Sequence, residues 1–296
     1  MSRVILKKAT QDIKVTMFLD YKEYLASLFN YVKSNASPYS YTQFAEDLGF
    51  SHSNVIWLVI TGRRKLSDSG IQRIVYSLGL SGIDRRYFSV LVHHNNARLG
   101  AVRDKFQIQL FELKTKELES PEEQEKLEYF AEWYYPVLRE MTGTAAFKSD
   151  PTWISENIYG KLLPKEITYA LKLLEKLKLI AFSPEKGRYE QVGGQIKPDR
   201  KVGKMASVRF HEKMLDIAKE SITRVPQARR DFNAMTICVS DETADKIKEL
   251  TQEFCKKILE IEQDDLNHAD QVYQLNIQLF PFTKKSKSND DEGESK

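Results

Sequence analysis

Cysteine is nearly absent from this 296-residue chain: Cys238 and Cys255 are the only two. That scarcity excludes a disulfide-stapled scaffold, and the pair lacks metal-ligand spacing, so a reducing, cytoplasmic setting is expected. Histidine is sparse as well. His52, His93, His94, His211 and His268 never fall in the H-x-x-x-H pattern that would place two imidazoles on one helical face. Long apolar runs are missing too: the longest, Val55 to Ile60, is far short of the roughly 20 residues a membrane-spanning helix needs. The opening MSRVILKKATQDIK has cations but no apolar core behind them, so no secretory signal is expected. There is no G-x-S-x-G, no P-loop and no dinucleotide glycine pattern. Gly193-Gly194 lacks the strand and helix context of a phosphate loop and reads as a turn, and Asp264-Asp265 reads as a solvated loop. The chain is therefore read as a non-enzyme, with no catalytic residue, metal, cofactor or membrane association predicted.

Its length suggests two or three domains, and 41% hydrophobic with 29% charged residues is ordinary for a globular protein. The net charge of +3 says less than its distribution. Residues 1–105 hold 15 Lys/Arg against 8 Asp/Glu, whereas residues 106–160 hold 5 against 11. Residues 161–204 then hold 11 against 5, and residues 205–283 hold 10 against 14. Two basic blocks alternate with two acidic ones, as expected if polyanion contact is confined to particular modules. Unevenly charged solvated surfaces are the plainer reading.

Helical spacing runs through residues 1–100. Tyr21, Leu25, Leu28, Phe29 and Val32 share one face of a helix over 18–34, and a second helix is predicted from Tyr41 to Leu48. Gly49 supplies a turn that favours φ > 0, with the small Ala45 four residues before it. Phe44, Leu48, Phe50, Val55 and Leu58 provide internal apolar contacts. Ser67 is placed to cap a helix bearing Ile71, Ile74, Val75 and Leu78, which Gly79 stops. Ser81 is placed to cap a fifth helix with Tyr87, Phe88, Leu91 and Val92.

Residues 101–204 read as a helical linker followed by a second module. Ser120-Pro121 divides two acidic helices, and Tyr129, Phe130, Trp133, Tyr134 and Tyr135 form an aromatic cluster expected to pack rather than to hold a ligand. Asp150-Pro151 opens a short helix with Trp153 and Ile154. PKEITYALKLLEKLKLI predicts another, with Ile167, Ala170, Leu171, Leu174 and Leu177 buried. IAFSPEKGRYEQV follows as two strands around a turn at Pro184 to Gly187. Residues 205–283 are predicted to form an α+β regulatory or dimerisation module. It has an amphipathic helix over 205–222 (Met205, Val208, Met214, Leu215, Ala218), strands over 235–240 and 272–280, and between them a helix over 241–262 capped by Ser240. Ala244, Ile247, Leu250, Phe254, Ile258 and Ile261 of that helix are expected to face inward. Residues 284–296 read as a disordered polar tail.

The stretch TQFAEDLGFSHSNVIWLVITGRRK, residues 42–65, resembles the helix-turn-helix of the lambda-repressor-like family. The helix-then-hairpin at 164–192 resembles a winged helix. Taken together, YTQFAEDLGFSHSNVIWLVITGRRKLS, FAEWYYPVLREM, DPTWI, ALKLLEKLKLI, RVPQARRDFNAMT and VYQLNIQLFPFT occur in the order seen in an uncharacterised bacterial paralogue family. The C-terminal part of that family is a domain of unknown function. The resemblance spans roughly residues 15–283. It implies a bacterial cytoplasmic protein, often presumed to be a regulator, without established catalytic residues.

The helix-turn-helix resemblance implies a DNA-contacting set. Ser51, His52, Ser53 and Asn54 stand at the front of the second helix, the end that reads base edges in such proteins. Asn54 carries the amide that pairs with adenine N6 and N7. Helix capping is the alternative use for Ser51 and Ser53. Gln43 is placed to hold a phosphate, and Arg63, Arg64 and Lys65 to neutralise phosphates; a solvated turn is the plainer reading of those three cations. The run VIWLVI puts Ile56, Trp57 and Ile60 at positions this fold normally turns toward DNA. Aliphatic side chains there touch a thymine methyl at most. A possible second contact is Lys165, Tyr169, Lys172 and Lys176 on one polar helix face, with Lys186 and Arg188 at the hairpin. A soluble surface helix with i,i+4 pairs is the alternative there. Lys197, Arg200, Lys201 and Lys204 extend that positive charge.

The predicted architecture is mainly α, with a smaller α+β C-terminal part. The predicted function is a sequence-specific DNA-binding transcriptional regulator acting on double-stranded DNA as a homodimer, its C-terminal modules serving dimerisation or signal input from a protein or small-molecule effector. The competing reading is a non-catalytic protein-interaction adaptor whose helix-turn-helix units only pack.

Overall fold

Apolar residues at helical spacing become thirteen α-helices and one two-stranded hairpin among the described residues. The computed structural model describes residues 2–36, 38–51, 54–193, 196, 203–265 and 268–284. They divide into two compact units: Met1–Trp133 with Gln195–His211, and Tyr134–Gly194 with Glu212–Lys296.

The first unit is helical throughout. Helix α1 (Ser2–Asp12), absent from the sequence reading, sinks Leu6 and Ala9 into the core. Helix α2 (Tyr21–Asn35) starts where the Asp20 carboxylate accepts the Lys22 N–H at 2.8 Å, and it buries the predicted apolar stripe together with Tyr24. Helix α3 (Tyr41–Asp47) opens on a reciprocal cap. Ser40 Oγ accepts the Gln43 N–H at 3.3 Å, and Gln43 Oε1 accepts the Ser40 N–H at 3.0 Å, so two orphan donors are satisfied at once. Gly49 ends the turn at φ +80°, and the Phe50 N–H returns to the Ala45 carbonyl at 2.9 Å.

Helix α4 (Val55–Ile60) follows, then α5 (Asp68–Leu78), whose first turn is capped by Ser67 Oγ on the Gly70 N–H and whose last is closed by Gly79. Helix α6 (Gly82–Asn96) buries Tyr87, Phe88, Leu91 and Val92 as predicted, although the Ser81 side chain makes no cap bond. Helix α7 (Ala101–Glu117) packs along α6, and α8 (Pro121–Ala131) begins at the predicted Ser120-Pro121 break. Arg209 closes this unit by pairing with Glu132 and lying 4.4 Å above the Phe111 ring.

The second unit is built on α9 (Tyr134–Met141), α10 (Pro151–Glu156) and α11 (Pro164–Lys176). Asp150 caps α10 by accepting the Thr152 and Trp153 N–H groups. α11 packs its buried stripe against α9, α10 and strand β1 (Ile180–Ser183). β1 pairs antiparallel with β2 (Arg188–Gln191), Ile180 opposite Gln191 and Ser183 opposite Arg188, around the predicted turn. Gln191 Nε2 donates to the Arg139 carbonyl at 3.1 Å and to Glu140 at 2.9 Å, tying the hairpin to α9. Helix α12 (Gly203–Arg224) and the long α13 (Asp241–Asp265) complete the chain.

The fold is thus mainly helical with a small antiparallel sheet in its C-terminal part. Several details of the C-terminal reading change. Residues 235–240 and 272–280 keep their apolar alternation but form no strands, because no backbone ladder lies beside them. Ser240 caps α13 as predicted, accepting the Thr243 N–H at 3.2 Å. The expected inward stripe of α13 is only half-buried at Ala244 and Ile247, and Leu250, Phe254, Ile258 and Ile261 are exposed. On α12, Val208 and Leu215 are likewise exposed, while Met205 and Met214 are buried.

Candidate nucleic-acid interface

One face of α4 belongs to the core. Ile56 and Val59 are 0% and 1% exposed, and Val55 and Ile60 pack against the same cluster. The expectation that Ile56 and Ile60 point toward DNA is therefore corrected. A six-residue apolar run carries no period, and burial of one side of the helix uses up these aliphatic groups. What remains on the solvent side is polar or amphipathic. Ser51 and Asn54 are exposed, Trp57 and Leu58 are half-buried, and Thr61, Arg63, Arg64 and Lys65 are exposed. Asn54 occupies the N-cap position of α4 without making a side-chain cap bond. His52 and Ser53 lie outside the described residues.

The turn after α4 is held by backbone geometry. The Thr61 hydroxyl donates to the Trp57 carbonyl at 2.8 Å, Gly62 adopts φ +72°, and the Arg64 N–H reaches back to the Leu58 carbonyl at 3.0 Å. That reversal lays the Arg63 guanidinium 4.5 Å from the Trp57 ring centre. A stacked guanidinium keeps its edge donors available while its orientation is restrained. Lys65 is committed differently. Its ammonium donates to the Asn96 carbonyl at 2.7 Å at the end of α6, where a cation is favoured by the helix dipole, and the Asn96 amide donates to Leu66. Gln43 is exposed with its side-chain oxygen engaged in the α3 cap, which leaves the amide nitrogen as its donor toward an anion.

The second candidate face, in the other unit, keeps Lys165, Tyr169, Lys172 and Lys176 exposed on α11, opposite buried Ile167, Ala170, Leu171 and Leu174. Glu166 is turned back to accept the Leu163 N–H at 2.8 Å. Lys186 lies in the hairpin turn and pairs with Glu190 at 2.6 Å. Arg188 is the first residue of β2, and its guanidinium donates to the carbonyls of Thr144 and Ala145 at 3.2 and 3.1 Å. It fastens the hairpin to its own unit. Lys204 is exposed, whereas Lys197, Arg200 and Lys201 lie outside the described residues.

The Trp57–Arg63 stack escaped the sequence reading. Its only trace there is a spacing of six across Gly62, which has meaning once Gly62 is known to reverse the chain. The Lys65–Asn96 bond, 31 residues apart, left no local trace.

Elements of this kind define a mainly helical protein with one small hairpin among the described residues, with exposed polar groups at the front of α4 and along α11 among others. The chain belongs to the family described as a domain of unknown function, DUF4423, whose sequence pattern matches residues 112–282. That match begins within α7 and takes in the hairpin, α12 and α13, leaving α3 and α4 outside it. No curated protein and no solved structure matches the chain. Among the described residues, no helix is long and apolar enough to cross a membrane.

Proposed function

We propose that this protein is a bacterial sequence-specific DNA-binding regulator of transcription that uses residues 42–65 as a helix-turn-helix. The observation that carries this reading is the division of α4 into two faces. Ile56 and Val59 enter the core, while Ser51 and Asn54 are exposed at its front. In this reading α4 enters the major groove, Asn54 pairs with an adenine edge, and Ser51 and Gln43 bond to the backbone or neighbouring bases. Arg63, held on Trp57, and Arg64 neutralise phosphates flanking the groove. Lys65 contributes by fixing the turn to α6. The lysine face of α11 supplies a second, sequence-independent contact. Two copies would read two half-sites about 34–36 Å apart, as dimeric proteins of this kind do.

Retention of pooled genomic fragments by the full chain, measured at two salt concentrations, tests the reading. The expected result is selective retention that weakens with salt and with the double change Arg63→Ala/Arg64→Ala. No retention at low salt would overturn it and leave the interaction-adaptor reading in its place.

A further inference from the structure

Among the described residues of the second unit, 231–265 and 268–283 carry exposed apolar side chains that no described element of that unit covers. Fifteen large apolar residues from Phe232 to Phe282 are at least 37% exposed, Phe282 reaching 85%. They fall on α13 and on the two alternating stretches that flank it in sequence. Large apolar side chains exposed in this number call for a covering partner.

Its form narrows the occupant. Residues 235–240 and 272–280 alternate apolar and polar side chains as strands do, yet among the described residues no backbone group of 231–239 or 271–282 bonds to another backbone group. Both stretches therefore carry backbone groups open to pairing with a partner strand. Beside them in sequence lies α13, with its own uncovered stripe of Leu250, Phe254, Ile258 and Ile261. Helix and strands are complementary layers, the helix about 37 Å long and the longer stretch about 30 Å. The first stretch cannot be covered by its own α13, however. Ser240 is both its last residue and the helix cap, and reversal of a strand onto a following helix takes about 2–6 connecting residues.

Charge selects the geometry. Residues 271–283 contain no charged side chain, and residues 231–239 contain only Asp231. α13 carries nine acidic residues against four lysines, so two copies of α13 laid together repel each other, while α13 against a neutral stretch does not.

We propose that α13 and the stretches 231–239 and 271–282 bind a second copy of this chain. The apolar face of α13 from one copy covers the alternating stretches of the other, and the unpaired backbone of those stretches forms a sheet shared between copies. The arrangement is two-fold and self-complementary, as closed dimers require. It stands apart from the DNA reading and holds whether or not the protein binds DNA.

Sedimentation of the full chain combined with hydrogen exchange tests it. The chain is expected to sediment at twice its 34.3 kDa mass, with amides of 232–239 and 272–281 protected from exchange. Ile237→Asp/Ile277→Asp and, separately, Leu250→Asp/Phe254→Asp should each give a monomer with an unchanged melting profile for the first unit and with those amides released. A monomeric wild-type chain overturns the proposal, including a monomer that floats with anionic lipid vesicles, which would assign the surface to a membrane. A dimer that survives both double changes, or one whose 232–239 and 272–281 amides exchange at unfolded-chain rates, overturns it equally.

Discussion

Asn54, the N-cap of α4, and Ile56, within that helix, lie two residues apart and have opposite fates. Asn54 is exposed and makes no cap bond, whereas Ile56 is sealed in the core. Asn54→Ala is therefore expected to leave stability nearly unchanged while removing about 1–3 kcal/mol of discrimination at one adenine, read as binding to a site and to its single-base variant. Ile56→Ala should cost about 2–5 kcal/mol of folding stability, read by urea unfolding. The sequence did not separate these two, because six consecutive apolar residues show no preferred face until the core against them is known. A second residue-scale effect concerns His94. Burial, and next the Arg103 guanidinium that donates to His94 Nε2 at 3.4 Å, lower its pKa from the ordinary 6.5, with Asp104 opposing. Below pH 6.5 the unfolded chain thus takes up a proton that the folded chain still refuses. Stability that is whole above that pH should fall as the medium is acidified toward the depressed folded value. His94→Gln is expected to flatten this part of the stability–pH curve in thermal melts.

Elements were legible where their signals are local. Ser67 and Ser240 announced helix starts that the structure keeps, Gly79 announced a stop, and Pro184 to Gly187 announced the hairpin turn. Gly49 shows why such signals work: its φ of +80° suits glycine alone, and a Cβ there would stand 3.2 Å from Ser77 Oγ. Gly49→Ala is expected to destabilise the first unit by about 1–2 kcal/mol, measured as a lowered denaturation midpoint with an unchanged m-value. Residues 235–240, 272–280 and α13 were read less well. Alternation and helical period tell which side chains would share a face; they do not tell whether a partner strand or a core lies against them. Most of the predicted inward stripe of α13 turned out to be surface for this reason.

On the scale of the whole molecule, apolar spacing and turn residues disclose a mainly helical protein with a small sheet in its C-terminal part, which the structure shows. The basic character of residues 1–105 is partly structural, since Lys65 is spent on Asn96 and Arg3 on Asp47. Charge counts could not reveal this, because they do not register which cations already have partners. Under the proposed DNA reading, the salt dependence of binding should accordingly reflect few phosphate contacts. Removing Arg63 and Arg64 together is expected to reduce the slope of log affinity against log salt by about 2, near 0.9 for each lost contact. A slope unaffected by the double change would move the electrostatic footprint elsewhere, with the lysine face of α11 as the next region to probe.

The neutral QVYQLNIQLF stretch at 271–280 has a further consequence outside any folded assembly. Uncharged, alternating and free of proline, it has the makings of a steric zipper, and Pro281 immediately after it acts as a natural gatekeeper. A synthetic peptide of those ten residues is expected to form fibrils with the cross-β reflection near about 4.7 Å, and one carrying Ile277→Lys should stay dissolved. Heavy overproduction of the chain would then favour inclusion bodies seeded by this stretch, and slow, dilute synthesis would favour recovery of active protein.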